Sequence, residues 1–333
     1  MVGHGSSQQG GAGEDRVQAV RRGVLAQELV AQAVRAEEAG FDFVEISDHH
    51  HPWLFSHDHS GFAWSVLGAI AARTGRIELA TGVTCPFLRY HPAIVAQAAA
   101  TTAVLSDGRS TLGLGAGERL NEHIVGRGWP AASVRHQLLR EALEIIRLLW
   151  SGGYQSYQGR HLTLEDAGVF DLPDTPPRIA VAIGGPEAAQ VAAELGDAIF
   201  ATEPEADLVG AYTRAGGDGP RYGEVPLAFA PDEEAAAESA HRLIRFGPLG
   251  WKVQAELPNP VNFEAATAFV TPDDLKQTVA CGPDPERHLE VARQFADAGF
   301  DHLALLNAGP DPDGFFDFFT RELADPLRAL RPS

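Results

Sequence analysis

Residues 41–53 read FDFVEISDHHHPW and join an apolar run directly to a cluster of ionisable side chains. Phe41, Phe43, Val44 and Ile46 give the first half the pattern of a buried strand. The second half breaks into a carboxylate, Asp48, then three consecutive imidazoles, His49, His50 and His51, and, after a proline, Trp53. Reactive side chains therefore sit where a strand ends. In parallel α/β barrels the loops after the strands converge at that edge and build the active site, whereas the opposite face carries stability. An imidazole titrates near neutrality, so it can take a proton from a hydroxyl while a neighbouring carboxylate orients it. Taken alone, the stretch is equally compatible with a solvated loop.

On the N-terminal side of this junction, 24–39 carries Val24, Leu25, Leu29, Val30, Ala33 and Val34 at amphipathic-helix spacing and stops at Gly40. On its C-terminal side strands and helices alternate. Helix 64–74 leads to strand 77–83, helix 94–105 to strand 110–116, helix 134–150 to strand 178–183, and helix 187–195 to strand 198–202. Helix 207–215, strand 225–230 and helix 233–244 follow; then, beyond a stretch at 247–271 rich in Pro and Gly, come helix 284–298, strand 302–306 and a last helix, 315–330. Nearly all-apolar strands alternating with helices imply a parallel sheet covered on both faces. Seven strands stand out, and a barrel needs one more before Val24, where GEDRVQAVRRG offers only Val17, Ala19 and Val20. The expectation is a (β/α)8 TIM barrel with an insertion after the seventh strand and a poorly matching first strand. Either a strand near 17–20 closes the ring or the start of the chain departs from the pattern. An open doubly wound sheet is the alternative; the barrel is preferred because functional-looking segments follow several successive strands instead of one switch point. Residues 1–13, MVGHGSSQQGGAG, have almost nothing to bury and are expected to be disordered, leaving 14–333 as one barrel domain with 247–271 inserted.

Composition narrows the function. With 45 acidic against 26 basic residues the 333-residue chain has a formal charge of -19, which argues against nucleic acid or an anionic membrane surface as partner. Cys85 and Cys281 lie far apart without metal-binding spacing and read as packed thiols in a reducing compartment. No apolar run reaches the ~18 residues of a membrane span and no secretory leader is evident, so a cytoplasmic protein is expected.

Further motifs follow the other strands. Gly82 within Thr81-Gly82-Val83-Thr84 suggests a bulge or a ligand close to the backbone. Gly113, Gly115, Ala116, Gly117 and Glu118, followed by Asn121 and Glu122, mimic a dinucleotide fingerprint but put Glu118 where its third glycine belongs; neither a Rossmann nor a P-loop reading holds. What remains is a small-residue floor for a flat ring, with Glu118 beside it. Gly184-Gly185-Pro186 opens a helix, a site suited to an anion such as phosphate, although Gly-Pro turns are common at helix starts. His57-Asp58-His59 with the upstream histidines offers a second chemistry, a metal-dependent barrel hydrolase, but the pair follows a loop and not a strand. A non-catalytic deazaflavin-binding protein is a third possibility.

SDHHHPW (47–53), ATGVTCP (80–86), LGLGAGERLNEH (112–123), IGGP (183–186) and CGPDPERH (281–288) together resemble the luciferase-like barrel superfamily, in the branch that uses coenzyme F420 and is related to F420-dependent glucose-6-phosphate dehydrogenase. The resemblance covers roughly residues 22–330. It implies a homodimer that binds a deazaflavin in the barrel mouth and transfers a hydride; an FMN-dependent monooxygenase is the alternative within the superfamily. By position it implies Asp48 as a deazaflavin contact, His49 as catalytic base, Glu118 as partner acid and Trp53 as a wall of the substrate pocket. It seats the cofactor on Gly82, Val83 (joined by a non-proline cis peptide in relatives), Thr84, Ala116, Gly117, Asn121, Gly184 and Gly185, without a metal. Thr202, Glu205 and Lys276 fall at the substrate. There the sequence departs from the sugar-phosphate enzymes: their two lysines and arginine align with Glu205, Leu275 and the Asp313-Gly314 region, with Lys276 one residue out of register, so a neutral alcohol, sugar or carbonyl is expected in place of glucose 6-phosphate.

Overall fold

A computed structural model describes residues 16–20 and 24–332. Its strands are β1 (Arg16–Val20), β2 (Phe43–Ile46), β3 (Glu78–Thr81), β4 (Ser110–Leu114), β5 (Arg178–Ala182), β6 (Ala198–Ala201), β7 (Arg221–Ala228) and β8 (His302–Asn307). Each pairs in parallel with the next, and β8 pairs with β1, so eight strands close a ring. The weak N-terminal stretch does supply the missing strand. Gln18 lies opposite Ala304 on one side and Phe43 on the other, a ladder that backbone groups make whatever their side chains. Residues 1–13, expected to be disordered, lie outside the described residues.

Alternation along β2 divides the core. Phe43 points into the barrel, edge-on to Tyr222 at 5.4 Å, among Ala180, Ala198, Phe200 and Ala304. Val44 points outward into the layer between strands and helices. Just before the strand, Phe41 stacks on Phe319 at 3.8 Å, tying β2 to the C-terminal segment. That segment is a helix (Pro312–Phe318), a π turn (Phe319–Leu323) and a short helix (Ala324–Arg328), where periodicity had given one helix.

Two further boundaries differ from expectation. β7 begins at Arg221, not at 225, because its buried first half carries Tyr222, Gly223 and Glu224, which break the apolar run. An antiparallel hairpin, Gln155–Gln158 with Thr163–Ala167, follows the long helix Ala132–Trp150; its polar, half-exposed residues gave no apolar signal. A two-residue strand, Ala280–Cys281, also pairs with β7. The insertion after β7 is helical, not irregular: Pro260 and Pro272 occupy the first turns of short helices, where proline is tolerated, and Asn259 and Thr271 cap them. Phe263 of this region is fully buried, edge-on to Trp53 of the β2 loop, so the insertion leans over the C-terminal mouth of the barrel. Both cysteines are buried thiols. Among the described residues no helix is long and apolar enough to cross a membrane.

Candidate active site

Four loops after β2, β3, β4 and β5 bring the expected residues to one end of the barrel. The loop after β3 is laced to β4: Thr84 N–H donates to the Gly113 carbonyl at 2.8 Å, and Gly115 N–H donates back to the Thr84 carbonyl at 3.0 Å. Such close backbone contact leaves no room for side chains, since a Cβ on Gly113 would lie 1.9 Å from the Thr81 carbonyl oxygen. Gly117 has φ of +78° and its added Cβ would lie 2.7 Å from Cys85 Sγ, so both conformation and space require glycine there. The Gly82–Val83 peptide is cis.

Beneath this surface lies a buried ionic knot. Asp48 accepts hydrogen bonds from Thr84 Oγ1 at 2.8 Å and Tyr90 OH at 3.1 Å, and pairs with Arg89 at 3.1 Å. Arg89 also donates to the Asp48 carbonyl at 2.6 Å and lies 3.6 Å from Glu122, whose other oxygen accepts the Arg89 N–H at 2.9 Å. One guanidinium thus fixes the loops after β2, β3 and β4 together. It is outnumbered by its two carboxylates, and burial, opposed by Arg89, pushes Glu122 up to about 7.

Above the knot, His49 and Glu118 meet with Nε2 3.4 Å from Oε2. His49 Nδ1 donates to the His51 carbonyl at 3.2 Å, which in the neutral ring leaves Nε2 as the basic nitrogen facing Glu118. Asn121 accepts from the N–H groups of His50 and His51 at 2.9 and 3.3 Å and donates to Glu118 Oε2 at 3.2 Å. Trp53 packs 4.9 Å from the His49 ring and stacks on Phe246 at 4.6 Å, with Phe263 edge-on. A pocket lined by Val24, Leu29, Ile46, His49, Trp53 and His59 opens beside His49, between the first helix and the β2 loop; Glu118 does not line it.

Other expected residues fall elsewhere. His51 Nδ1 donates to the Leu120 carbonyl at 2.9 Å, and burial, with His51, Arg89 and His123 adding, lowers the pKa of His50. Gly185 caps the helix Pro186–Leu195 with no side chain over its free amides, and Trp251 of the insertion would lie 3.3 Å from a Cβ on Gly184. Thr202 and Glu205 are exposed beyond β6, Glu205 at the head of the helix Ala206–Arg214. Lys276 is paired with Glu234 at 2.5 Å and Asp273 at 3.0 Å, bonds that raise its pKa. Asp313 pairs with Arg35 at 3.5 Å. The metal-site alternative gains no cluster: among the described residues no three His, Cys, Asp or Glu side chains are grouped to hold a metal ion, and His57 is buried with Nε2 donating to the Leu243 carbonyl at 2.6 Å.

Arg89, Tyr90 and Glu122 were not singled out as site residues. Their signal was present as a basic residue, a phenol and a carboxylate close to strand ends, but Arg89-Tyr90 reads as an ordinary loop until the fold pairs it with Asp48.

The model of the luciferase-like monooxygenase family matches residues 6–302. F420-dependent glucose-6-phosphate dehydrogenase of Nocardia farcinica is 35% identical over 321 residues, covering 91% of this chain and 94% of its own length. A solved F420-dependent secondary alcohol dehydrogenase, in complex with an F420-acetone adduct, superposes with a TM-score of 0.85 at 27% identity, covering 93% of this chain and 98% of the other. The F420-dependent tetrahydromethanopterin reductase of Methanopyrus kandleri, at 18% identity and a TM-score of 0.74, covers 95% of this chain and 100% of its own and shares the fold.

Proposed function

This chain belongs to the luciferase-like monooxygenase family and is an F420-dependent oxidoreductase, and on that premise we propose that it moves a hydride between F420 and a small neutral alcohol, free sugar or carbonyl compound, not glucose 6-phosphate. The observation that carries this reading is the His49–Glu118 pair at the barrel mouth, an imidazole and a carboxylate 3.4 Å apart.

The residues present fit the cofactor. Ala116, Gly117 and the Gly82-Val83-Thr84 turn, laced together through the Thr84–Gly113 and Gly115–Thr84 backbone bonds, offer a floor of mostly small residues for a flat ring. The uncapped N-terminus of the helix Pro186–Leu195, at Gly184 and Gly185, offers backbone N–H donors suited to a phosphate. Asp48 and Thr84 are bonded to each other and hold the floor to the β2 loop. When bound, the deazaflavin supplies the carbon that exchanges hydride with the substrate.

The chain's own groups handle the proton. His49 Nε2 takes the hydroxyl proton as the carbinol carbon gives up its hydride, or returns it in the reverse direction, a role that requires the ring to stay in one orientation. The Nδ1 bond to the His51 carbonyl and the packing of Trp53 fix that orientation. Glu118, as the carboxylate facing Nε2, stabilises the imidazolium so formed. Trp53, nearly fully buried between His49 and Phe246, closes one side of the pocket and excludes water. For the substrate's far end the chain offers Thr202 and Glu205, while the Lys276 cation is already balanced by two carboxylates. Homodimeric assembly, which rests on the resemblance, and a cytoplasmic location, which rests on the two widely separated cysteines, belong to the same proposal.

Titration of the purified protein with F420 and with FMN, followed by fluorescence, tests the cofactor assignment. F420 should bind with a Kd at least about tenfold below that of FMN; tight FMN binding without detectable F420 binding would overturn it.

A further inference from the structure

We propose that Glu256 is a positioning residue that clasps one turn of the insertion to the loop after β4, holds Trp251 as a wall beside Gly184, and so sets how fast F420 enters and leaves. The inference deepens the reading above and rests on it only for its cofactor arm. Both oxygens of Glu256 are engaged: Oε2 accepts from Trp129 Nε1–H at 2.9 Å and Oε1 from Arg135 Nη2 at 3.2 Å. The two donors are prearranged, because the Arg135 guanidinium lies over the Trp129 ring at 4.2 Å and its Nη1 donates to the Pro130 carbonyl at 2.7 Å. Arg135 is buried, and among the described residues Glu256 is the one carboxylate paired with it.

Glu256 ends a helical turn that begins at Trp251. The short helix Trp251–Gln254 is continued by Ala255 N–H, which donates to the Trp251 carbonyl at 2.9 Å, and by Glu256 N–H, which donates to the Val253 carbonyl at 3.1 Å. A second tie joins this turn to the loop after β4, since Arg119 N–H donates to the Ala255 carbonyl at 3.0 Å. Arg119 opens the one-turn helix that Glu118 heads. At the start of the turn Trp251 packs on Gly184, where its Cδ1 would lie 3.3 Å from an added Cβ. Gly250, with φ of +68°, joins the turn to the preceding chain in a conformation that costs glycine little, and serves as a hinge.

The clasp can open while the rest of the protein stays folded. Glu256 is half exposed, and an ion pair with an exposed partner contributes little net stability. The remainder of the insertion is anchored separately, by Phe263 against Trp53 and by Arg245 paired with Glu264. Opening therefore frees the Trp251 turn without unseating the insertion, and a wall that moves governs exchange of what lies behind it.

Three variants test the clasp. Glu256→Ala removes both bonds, Glu256→Gln keeps one acceptor but sets its amide N–H groups against the second donor, and Glu264→Ala breaks the separate anchor as a control for general loosening. In the cofactor-free protein, amide exchange at Arg119 and Ala255 should be faster by about tenfold or more in Glu256→Ala and intermediate in Glu256→Gln. With F420 bound, stopped-flow fluorescence should show dissociation faster by about tenfold or more in Glu256→Ala, with saturated kcat lowered by less than about threefold. Glu264→Ala should leave the dissociation rate within about twofold of the unmodified chain.

Dissociation unchanged in Glu256→Ala, or raised equally in Glu264→Ala, would overturn the proposal, as would a kcat lowered about 100-fold at an unchanged dissociation rate, which would place the residue in the chemistry. Failure of the unmodified chain to bind F420 would fault the functional reading alone. Amide exchange in the cofactor-free variants would still decide the clasp, and unchanged exchange at Arg119 and Ala255 in Glu256→Ala would overturn it. Should the alanine variant not fold, Glu256→Gln carries the test, and an unchanged dissociation rate there counts against the proposal.

Discussion

At the level of single residues, the site separates chemistry from support. His49 and Glu118 face each other at the barrel mouth, whereas Asp48, one position earlier, is spent on Thr84, Tyr90 and Arg89. His49→Ala and Glu118→Gln should therefore each lower turnover by about 100-fold or more while leaving F420 affinity nearly unchanged, measured by saturation kinetics beside fluorescence titration. Folded variants with near-native rates would show that the proton is handled elsewhere. Glu122 makes a different prediction, in stability. Its folded pKa, pushed up to about 7 by burial, lies above its ordinary value of 4.5. A raised carboxylate contributes most below its unfolded pKa and loses that contribution as pH rises through the folded one, because the native state holds a proton that the unfolded chain releases. Unfolding free energy should thus fall between pH 4.5 and 7 by an amount of order 3 kcal/mol from this group. Glu122→Gln should flatten that slope by about one proton, and urea titrations at several pH values would read it. The acid and base were legible because a carboxylate and an imidazole at strand ends have few structural uses. The knot was not, because Arg89 and Glu122 act only through partners that folding brings from other loops.

At the level of elements, the strands that could be read were those buried on both faces, and the ones that misled were polar for a reason. β7 hides its first half because Tyr222 and Glu224 point into the barrel, and β1 is held by ladder bonds to β2 and β8 instead of by an apolar run. The insertion was recognisable as an interruption, but its helices were masked by prolines that sit at helix starts. Its position over the mouth came from long-range packing: Phe263 and Phe246 clasp Trp53, which in turn presses on His49. Phe263 has no exposed surface, so Phe263→Ala should leave a cavity and cost about 3–5 kcal/mol in chemical unfolding. A loss under about 1 kcal/mol would mean that the insertion is not packed on the β2 loop as described. The same variant should reduce kcat more than it weakens F420 binding, since Trp53 loses its backing while the floor at Ala116 and Gly117 is untouched.

At the level of the whole molecule, charge decides which substrates can approach and stay. A chain of formal charge -19 repels anions at long range; Lys276, expected at the substrate, is paired with Glu234 and Asp273, and Arg287 with Glu233. Glucose 6-phosphate carries between one and two negative charges near neutrality, and holding its phosphate requires free basic groups or donors to offset desolvation. An unscreened like charge about 4 Å away at an effective dielectric near 20 costs on the order of 4 kcal/mol, close to a thousandfold in affinity. A neutral substrate and glucose 6-phosphate would respond differently to added salt. Salt distinguishes them. With F420 saturating, kcat/KM for the best neutral alcohol should change by less than about twofold when ionic strength rises from roughly 0.01 to 0.15 M, because no charge on the substrate is being screened. Any residual rate with glucose 6-phosphate should instead be far lower and should increase with salt as the repulsion is screened. Sugar-phosphate efficiency above every neutral compound tested, falling with added salt, would require a cationic pocket and would reverse the assignment.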